Sequence, residues 1–228
     1  MKKLFAVILV AVLTISLSGC GARGQYKSAI EEFNNGNYNQ AANMFSEILD
    51  YKDSEEMEKK SIYFSAVDEY YAGNHIGAIR KFGEILDYEN SKEQINHILM
   101  FVLKKSNQEV LSTEYFFEVA DIYGSVLPAD TEEIQLINYY IGVRYLGIEN
   151  FDKASQFLYR AGNVSNAEEM YDICLRAPKI TWRDYVGKHD YYVFDDILEK
   201  SAKTSDDLTF PLSLQKVYKT SIQDSAVE

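Results

Sequence analysis

Two cysteines, three histidines and two acidic pairs near the C-terminus are the residues here whose types and spacing could do chemistry. Cys20 follows Leu17-Ser18-Gly19 at the end of an apolar run, at the place where a secreted chain is cut. Cys174 shares a helical stripe with Met170, Tyr171 and Ala177, which predicts a buried, inert thiol. His75, His97 and His189 share no metal-ligand spacing, and none lies near a cysteine. Asp195-Asp196 and Asp206-Asp207 lack the Asp-x-Asp-x-Asp-Gly order of a calcium loop, so solvated surface is expected. A Gly-rich phosphate loop, a Gly-x-Ser-x-Gly elbow and a His-Glu-x-x-His pair are all missing from the sequence. These readings predict no catalytic residue, no metal ligand and no cofactor. The expected work is binding, not catalysis.

The segment leading to Cys20 sets the compartment. Lys2 and Lys3 precede an apolar run from Leu4 to Leu17, then small residues. That order is a secretory signal, and the run is too short for the ~20 residues of a membrane span. Leu17-Ser18-Gly19-Cys20 resembles the lipobox of bacterial lipoproteins. The resemblance implies that residues 1–19 are removed, that Cys20 is lipidated, and that 20–25 form a short tether. It places the chain on the extracytoplasmic face of the cell membrane, or on the outer membrane where the envelope has one. One acyl chain holds weakly, at ~0.8 kcal/mol per buried methylene, so anchoring takes more than one.

Composition narrows the partners. Loss of 1–19 removes only Lys2 and Lys3, which moves the formal charge from −12 to −14. Such a surface repels phosphate backbones and anionic headgroups, so nucleic acid is excluded as a partner and membrane attachment rests on lipid. With Cys20 acylated, Cys174 has no disulfide partner, and stability must come from packing. Three prolines and 46% apolar residues suit a helical core.

Two segments are near copies. Ala29, Phe33, Gly36, Ala41, Phe45 and Ser54 recur 37 residues on as Ala66, Tyr70, Gly73, Ala78, Phe82 and Ser91. A fixed period of this size signals stacked units, each burying a face against its neighbours. Ala29–Phe33 and Ala41–Phe45 are i, i+4 pairs on single helical faces. Gly36 and Gly73, each followed by Asn, fit left-handed helix stops. Asp53-Ser54 and Asn90-Ser91 fit helix starts. Each unit therefore reads as helix, tight turn, helix, with Ala41, Phe45, Ala78 and Phe82 in the core.

Gly36-Asn37-Tyr38-Asn39-Gln40-Ala41 and Phe45 resemble the tetratricopeptide repeat. The period is 37 rather than 34, and Tyr-Lys-Asp-Ser and Tyr-Glu-Asn-Ser stand where that family has its closing Pro. A third unit is degenerate: Val110 and Tyr115 fall where Gly and Ala would stand. Gly147 is read as the stop of a fourth unit, followed by Asn150-Phe151-Asp152-Lys153-Ala154 after a two-residue insertion. The expected fold is an all-α helix-turn-helix solenoid, tetratricopeptide-like, of about four units over 26–177, closed by a helix near Ser165–Ala177. Residues 178–228 form a C-terminal extension, with one amphipathic helix expected over Tyr192–Ala202 and a frayed end.

By family resemblance, the first helix of each unit lines a concave groove. That implies a partner-binding face including Tyr26 and Asn34, then Tyr63, Tyr70 and Tyr71, then Lys104 and Asn107, then Arg144 and Tyr145. Eighteen tyrosines suit such a face, because Tyr gives contact area at low entropy cost. The function expected is a membrane-anchored scaffold or adaptor that holds a protein or peptide partner outside the cytoplasm. The alternatives are a ligand- or glycan-binding lipoprotein and an envelope assembly factor.

Overall fold

The computed structural model describes residues 21–108, 110–176, 208 and 214. The signal peptide, Cys20 and the amphipathic helix expected over Tyr192–Ala202 lie outside the described residues, as does the side chain of Asn107. Among the described residues the fold is all-α, with 9 helices over 21–176 and no strand. They are α1 (21–34), α2 (Tyr38–Ser46), α3 (Ser54–Tyr71), α4 (His75–Glu84) and α5 (Ser91–Asn107). α6 (Thr113–Val126), α7 (Glu132–Gly147), α8 (Phe151–Ala161) and α9 (Ala167–Arg176) follow. Residues 21–25, expected as a tether, are already helical. Ala22, Arg23 and Gln25 favour helix, and the Tyr26 hydroxyl fixes this stretch by donating to Asp53 Oδ1 at 2.6 Å.

The chain divides into two compact bodies, one ending at Ser91 and the other covering Lys92–Thr209; Leu214 belongs with the first. In the first, α3 packs against α2 and α4. In the second, α8 packs against α7 and α9.

One turn recurs in both bodies. After α1, the Gly36 N–H meets the Phe33 carbonyl at 3.1 Å and the Asn37 N–H meets Glu32 at 2.9 Å. After α3, Gly73 and Asn74 repeat this with Tyr70 and Glu69 at 2.9 and 2.8 Å. After α7, Glu149 and Asn150 repeat it with Leu146 and Tyr145 at 2.9 and 3.0 Å. These are Schellman stops, whose left-handed residue closes the last carbonyls. Gly36 and Gly73 have φ +79, and Glu149 has φ +59. The sequence points to Gly147 instead, but Gly147 is the last residue of α7. The equivalent of Gly73 lies 76 residues on, so the two-residue insertion falls before the stop. Asn74 and Asn150 then cap the next helix, accepting from the Gly77 and Lys153 N–H groups at 3.1 Å each.

The joints between hairpins recur with the same offsets. Lys52, Glu89 and Ser165 are left-handed, at φ +54, +48 and +51. Next to each joint a tyrosine hydroxyl reaches the residue ahead of the following helix. Tyr26 donates to Asp53 at 2.6 Å, Tyr63 to Asn90 at 2.7 Å and Tyr139 to Asn166 at 2.6 Å, each across 27 residues. The Tyr26 ring packs on Phe45 and Tyr51 at 5.8 and 5.5 Å. Tyr63 packs on Phe82 and Tyr88 at 5.2 and 6.0 Å.

Core packing follows from small residues facing large ones. Ala41, Phe45, Ala78 and Phe82 are fully buried, as the periodicity expects. Ala29, Ala66 and Gly142 occupy one recurring position, all buried. At Gly142 a Cβ would lie 2.7 Å from Leu158 Cγ, so α8 approaches too closely there for any side chain. The α5 and α6 hairpin departs from this scheme. Its tyrosine bond runs backwards, from Tyr123 to Asn96 at 3.1 Å, and Ser112 caps α6 through the Tyr115 N–H at 3.1 Å.

Glu149 carries a backbone conformation that costs a non-Gly residue about 1 kcal/mol. Glu149→Gly is therefore expected to raise stability by about 0.5–1 kcal/mol, read by chemical denaturation. A loss of stability would show that the Glu149 side chain contributes more than its backbone costs.

Candidate functional site

The residues expected to line a groove fall on different sides of the packing. Tyr63 is fully buried, and its hydroxyl is taken by Asn90. Tyr70 is buried, edge-on to Tyr71 and His75 at 5.2 and 5.6 Å. Tyr145 is buried, stacked on Phe117 at 4.3 Å, with its hydroxyl on Asp121 Oδ1 at 2.7 Å. These three are buried in the packing, whereas the repeat resemblance expects them to face a groove. Tyr26 is half-buried, and its hydroxyl donates to Asp53 Oδ1 at 2.6 Å. Tyr71 is exposed, at 46%, and Asn34 is exposed. Arg144 is half-buried, with its guanidinium 4.8 Å from the Phe116 ring and a bond to the Tyr140 hydroxyl at 3.2 Å. Lys104 is half-buried on α5. Tyr63, Tyr70 and Tyr71 belong to the first body; Lys104, Asn107, Arg144 and Tyr145 belong to the second.

A polar cluster in the first body was not anticipated. It forms where the turn into α2 faces α3 and α4. Lys81 of α4 donates to Asn39 Oδ1 at 2.6 Å and to Ser65 Oγ at 2.5 Å, and pairs with Glu69 at 3.2 Å. Ser65 also donates to Asn39 Oδ1, at 2.6 Å. Asn74 Nδ2 holds the other Glu69 oxygen at 2.6 Å. The ammonium has three donors and meets three acceptors here.

Two hollows flank this cluster. One, of about 470 Å³, is lined by Gly36, Asn37, Tyr38, Asn39, Gln40, Ser65, Asp68, Glu69 and Ala72. The other, of about 360 Å³, is lined by Asn39, Ala42, Asn43, Ser46, Glu58, Ile62, Lys81 and Glu84. Asn39 belongs to both. These volumes fall within the ~300–1,000 Å³ range of small-ligand sites.

Asp68 stands at the mouth of the larger hollow. It is exposed, yet protein on several sides pushes its carboxyl from 3.8 up to about 6. Desolvation is the main cause; Lys81 opposes it and Glu69 adds to it. Nearby, burial lowers the His75 pKa. In the second body, burial raises the Cys174 thiol to about 11, which keeps it protonated and inert at neutral pH.

No known family, curated protein or solved structure matches the chain. Its site must therefore be argued from its own geometry. Among the described residues no cluster of His, Cys, Asp or Glu is arranged to hold a metal ion, and no helix is long and apolar enough to cross a membrane.

One signal for the polar cluster lies in the sequence. Lys81 stands 37 residues after Met44, and Asn39 stands 37 before Ile76. A polar residue at a position that is apolar in the neighbouring unit marks a departure from pure packing.

The Asp68 shift has a definite sign for stability. A folded-state pKa above the ordinary value means that ionisation opposes folding. The cost is absent at low pH and grows as pH rises from about 4 to above 6. Asp68→Asn should therefore gain stability over the parent above pH 6 and none near pH 3. Because solvent reaches the carboxyl, the gain stays below about 1 kcal/mol. Paired denaturation curves at pH 3 and pH 7.5 check this; a variant less stable at pH 7.5 would refute it.

Proposed function

We propose that this chain is a lipid-anchored, extracytoplasmic protein-interaction module whose work is binding and not catalysis. On this reading Cys20 carries the lipid, and tetratricopeptide-like hairpins form a scaffold that holds a protein or peptide partner at the membrane surface. The observation that carries it is the recurring hairpin. The Schellman stop at Gly36, Gly73 and Glu149 and the tyrosine bond at Tyr26, Tyr63 and Tyr139 recur with common offsets. A chain built from one repeated unit offers extended surface, which suits it to partner binding. The polar hollows at Asn39 supply a concave place on that surface.

Two measurements test the reading in cells. Cys20→Ser is expected to move the protein from the membrane fraction or leave its signal uncleaved. A photo-crosslinking residue at Gln40, at the rim of the larger hollow, should give a discrete protein adduct that the same residue at exposed Gln156 does not give. A Cys20→Ser chain that stays processed and membrane-bound would refute the anchor. Identical or absent adducts at the two positions would refute the interaction module.

A further inference from the structure

We infer that the hollow between the first turn and α3 is a subsite for one basic side chain, Lys or Arg, of an extended protein partner. The inference rests on the interaction-module reading and gives that module a chemical preference.

Four observations carry it. The first is the hollow, about 470 Å³, with room for a long side chain and its water. The second is Asn39. Lys81 can only donate, so the atom 2.6 Å from its ammonium must be the amide oxygen, which also receives the Ser65 hydroxyl. With the oxygen fixed by two donors, Nδ2 is the group Asn39 offers to a main-chain carbonyl entering either hollow.

The third is the division of labour between two carboxylates. Glu69 is satisfied by Lys81 and by Asn74. Asp68, one residue earlier, makes no ion pair among the described residues, and it lines the hollow. It sits where ionisation is opposed by its surroundings, so an incoming cation relieves a cost already present. The fourth is the sign of the whole chain. A formal charge of −12 steers basic partners in and acidic ones away. An anionic ligand gains little from Lys81, whose ammonium already meets three acceptors.

The titrating groups around Asp68 are few. Glu69 shares its helix and Lys81 comes from α4. The facing turn brings the amides of Asn37, Asn39 and Gln40 and the Tyr38 ring, and Asn37 is tied to Glu32 at 2.7 Å. Binding should therefore follow the Asp68 carboxyl, strong above pH 7 and weak at pH 5.

The test is an NMR titration of the full chain with acetyl-lysine methylamide and acetyl-arginine methylamide. The norleucine analogue, acetyl-glutamate methylamide and a methyl glucoside serve as controls. The cationic probes should shift the Asn39 side-chain amide and the Ser65 and Asp68 signals. Asp68→Asn should weaken them at least fivefold while keeping the parent's spectrum elsewhere, and pH 5 should weaken the parent by a similar factor. Equal binding of norleucine, preferential binding of the glucoside or the glutamate probe, or full affinity in Asp68→Asn would each overturn the subsite. The Gln40 adduct separates the two levels. If the adduct survives Asp68→Asn at parental yield, the subsite is wrong and the module stands. If no adduct forms but the cationic probes bind as stated, the module is wrong and the subsite stands.

Discussion

A tyrosine hydroxyl that must find an acceptor inside the fold is the constraint on which this structure depends. The Tyr63 ring is wholly removed from water, packed on Phe82 and Tyr88. A buried hydroxyl without a partner costs about 1–3 kcal/mol, so its oxygen has to meet a polar group at a set place. Asn90 supplies that place, one residue ahead of α5. Tyr139 with Asn166 repeats the arrangement, and Tyr26 with Asp53 repeats the spacing at a half-buried, solvent-reached place. Each bond therefore ties the residue just ahead of the next helix to the core of the preceding hairpin. The left-handed residue that sharpens each joint, at Lys52, Glu89 or Ser165, lies directly before the acceptor. Backbone strain and a side-chain hydrogen bond occur together at each joint.

This explains why Tyr63, Tyr139 and Tyr145 are buried and do not face solvent. A large ring with one polar tip suits a position where the body packs and the tip reaches the next element. Tyr145 does the same with Asp121, while Lys153 pairs with the other Asp121 oxygen at 2.9 Å. Chemistry is then left to positions where neighbouring units differ. Asn39, Ser65, Asp68, Glu69 and Lys81 form such a place, and their bonds cross from the first turn to α3 and α4. Desolvation raises the Asp68 carboxyl there, so its ionised form is disfavoured by the fold around it.

Much of the fold was legible in the residues themselves. Gly36 and Gly73, Ala41 and Ala78, Phe45 and Phe82 announced helix, turn and helix because each type has a narrow physical use. Glu149 was not legible, because a left-handed Glu is held by the surrounding turn and carries no mark of its own. Gly147 drew attention for the opposite reason: a glycine at a helix end looks like a stop even when it is the last helical residue. The tyrosine positions were visible as a period but not as a direction, since a helix-borne Tyr can face core or groove with equal ease. The Lys81 cluster needs three elements brought together, and pairwise spacing along one chain does not reveal that.

The most direct measurement is a double-mutant cycle on Tyr63 and Asn90, using Tyr63→Phe, Asn90→Ala and the pair, read by chemical denaturation. Tyr63→Phe keeps the ring and removes only the hydroxyl. If this bond sets the joint, each single change costs about 1 kcal/mol or more and the two are coupled by about 0.5–1.5 kcal/mol. Additive losses, or a Tyr63→Phe chain as stable as the parent, would contradict the account.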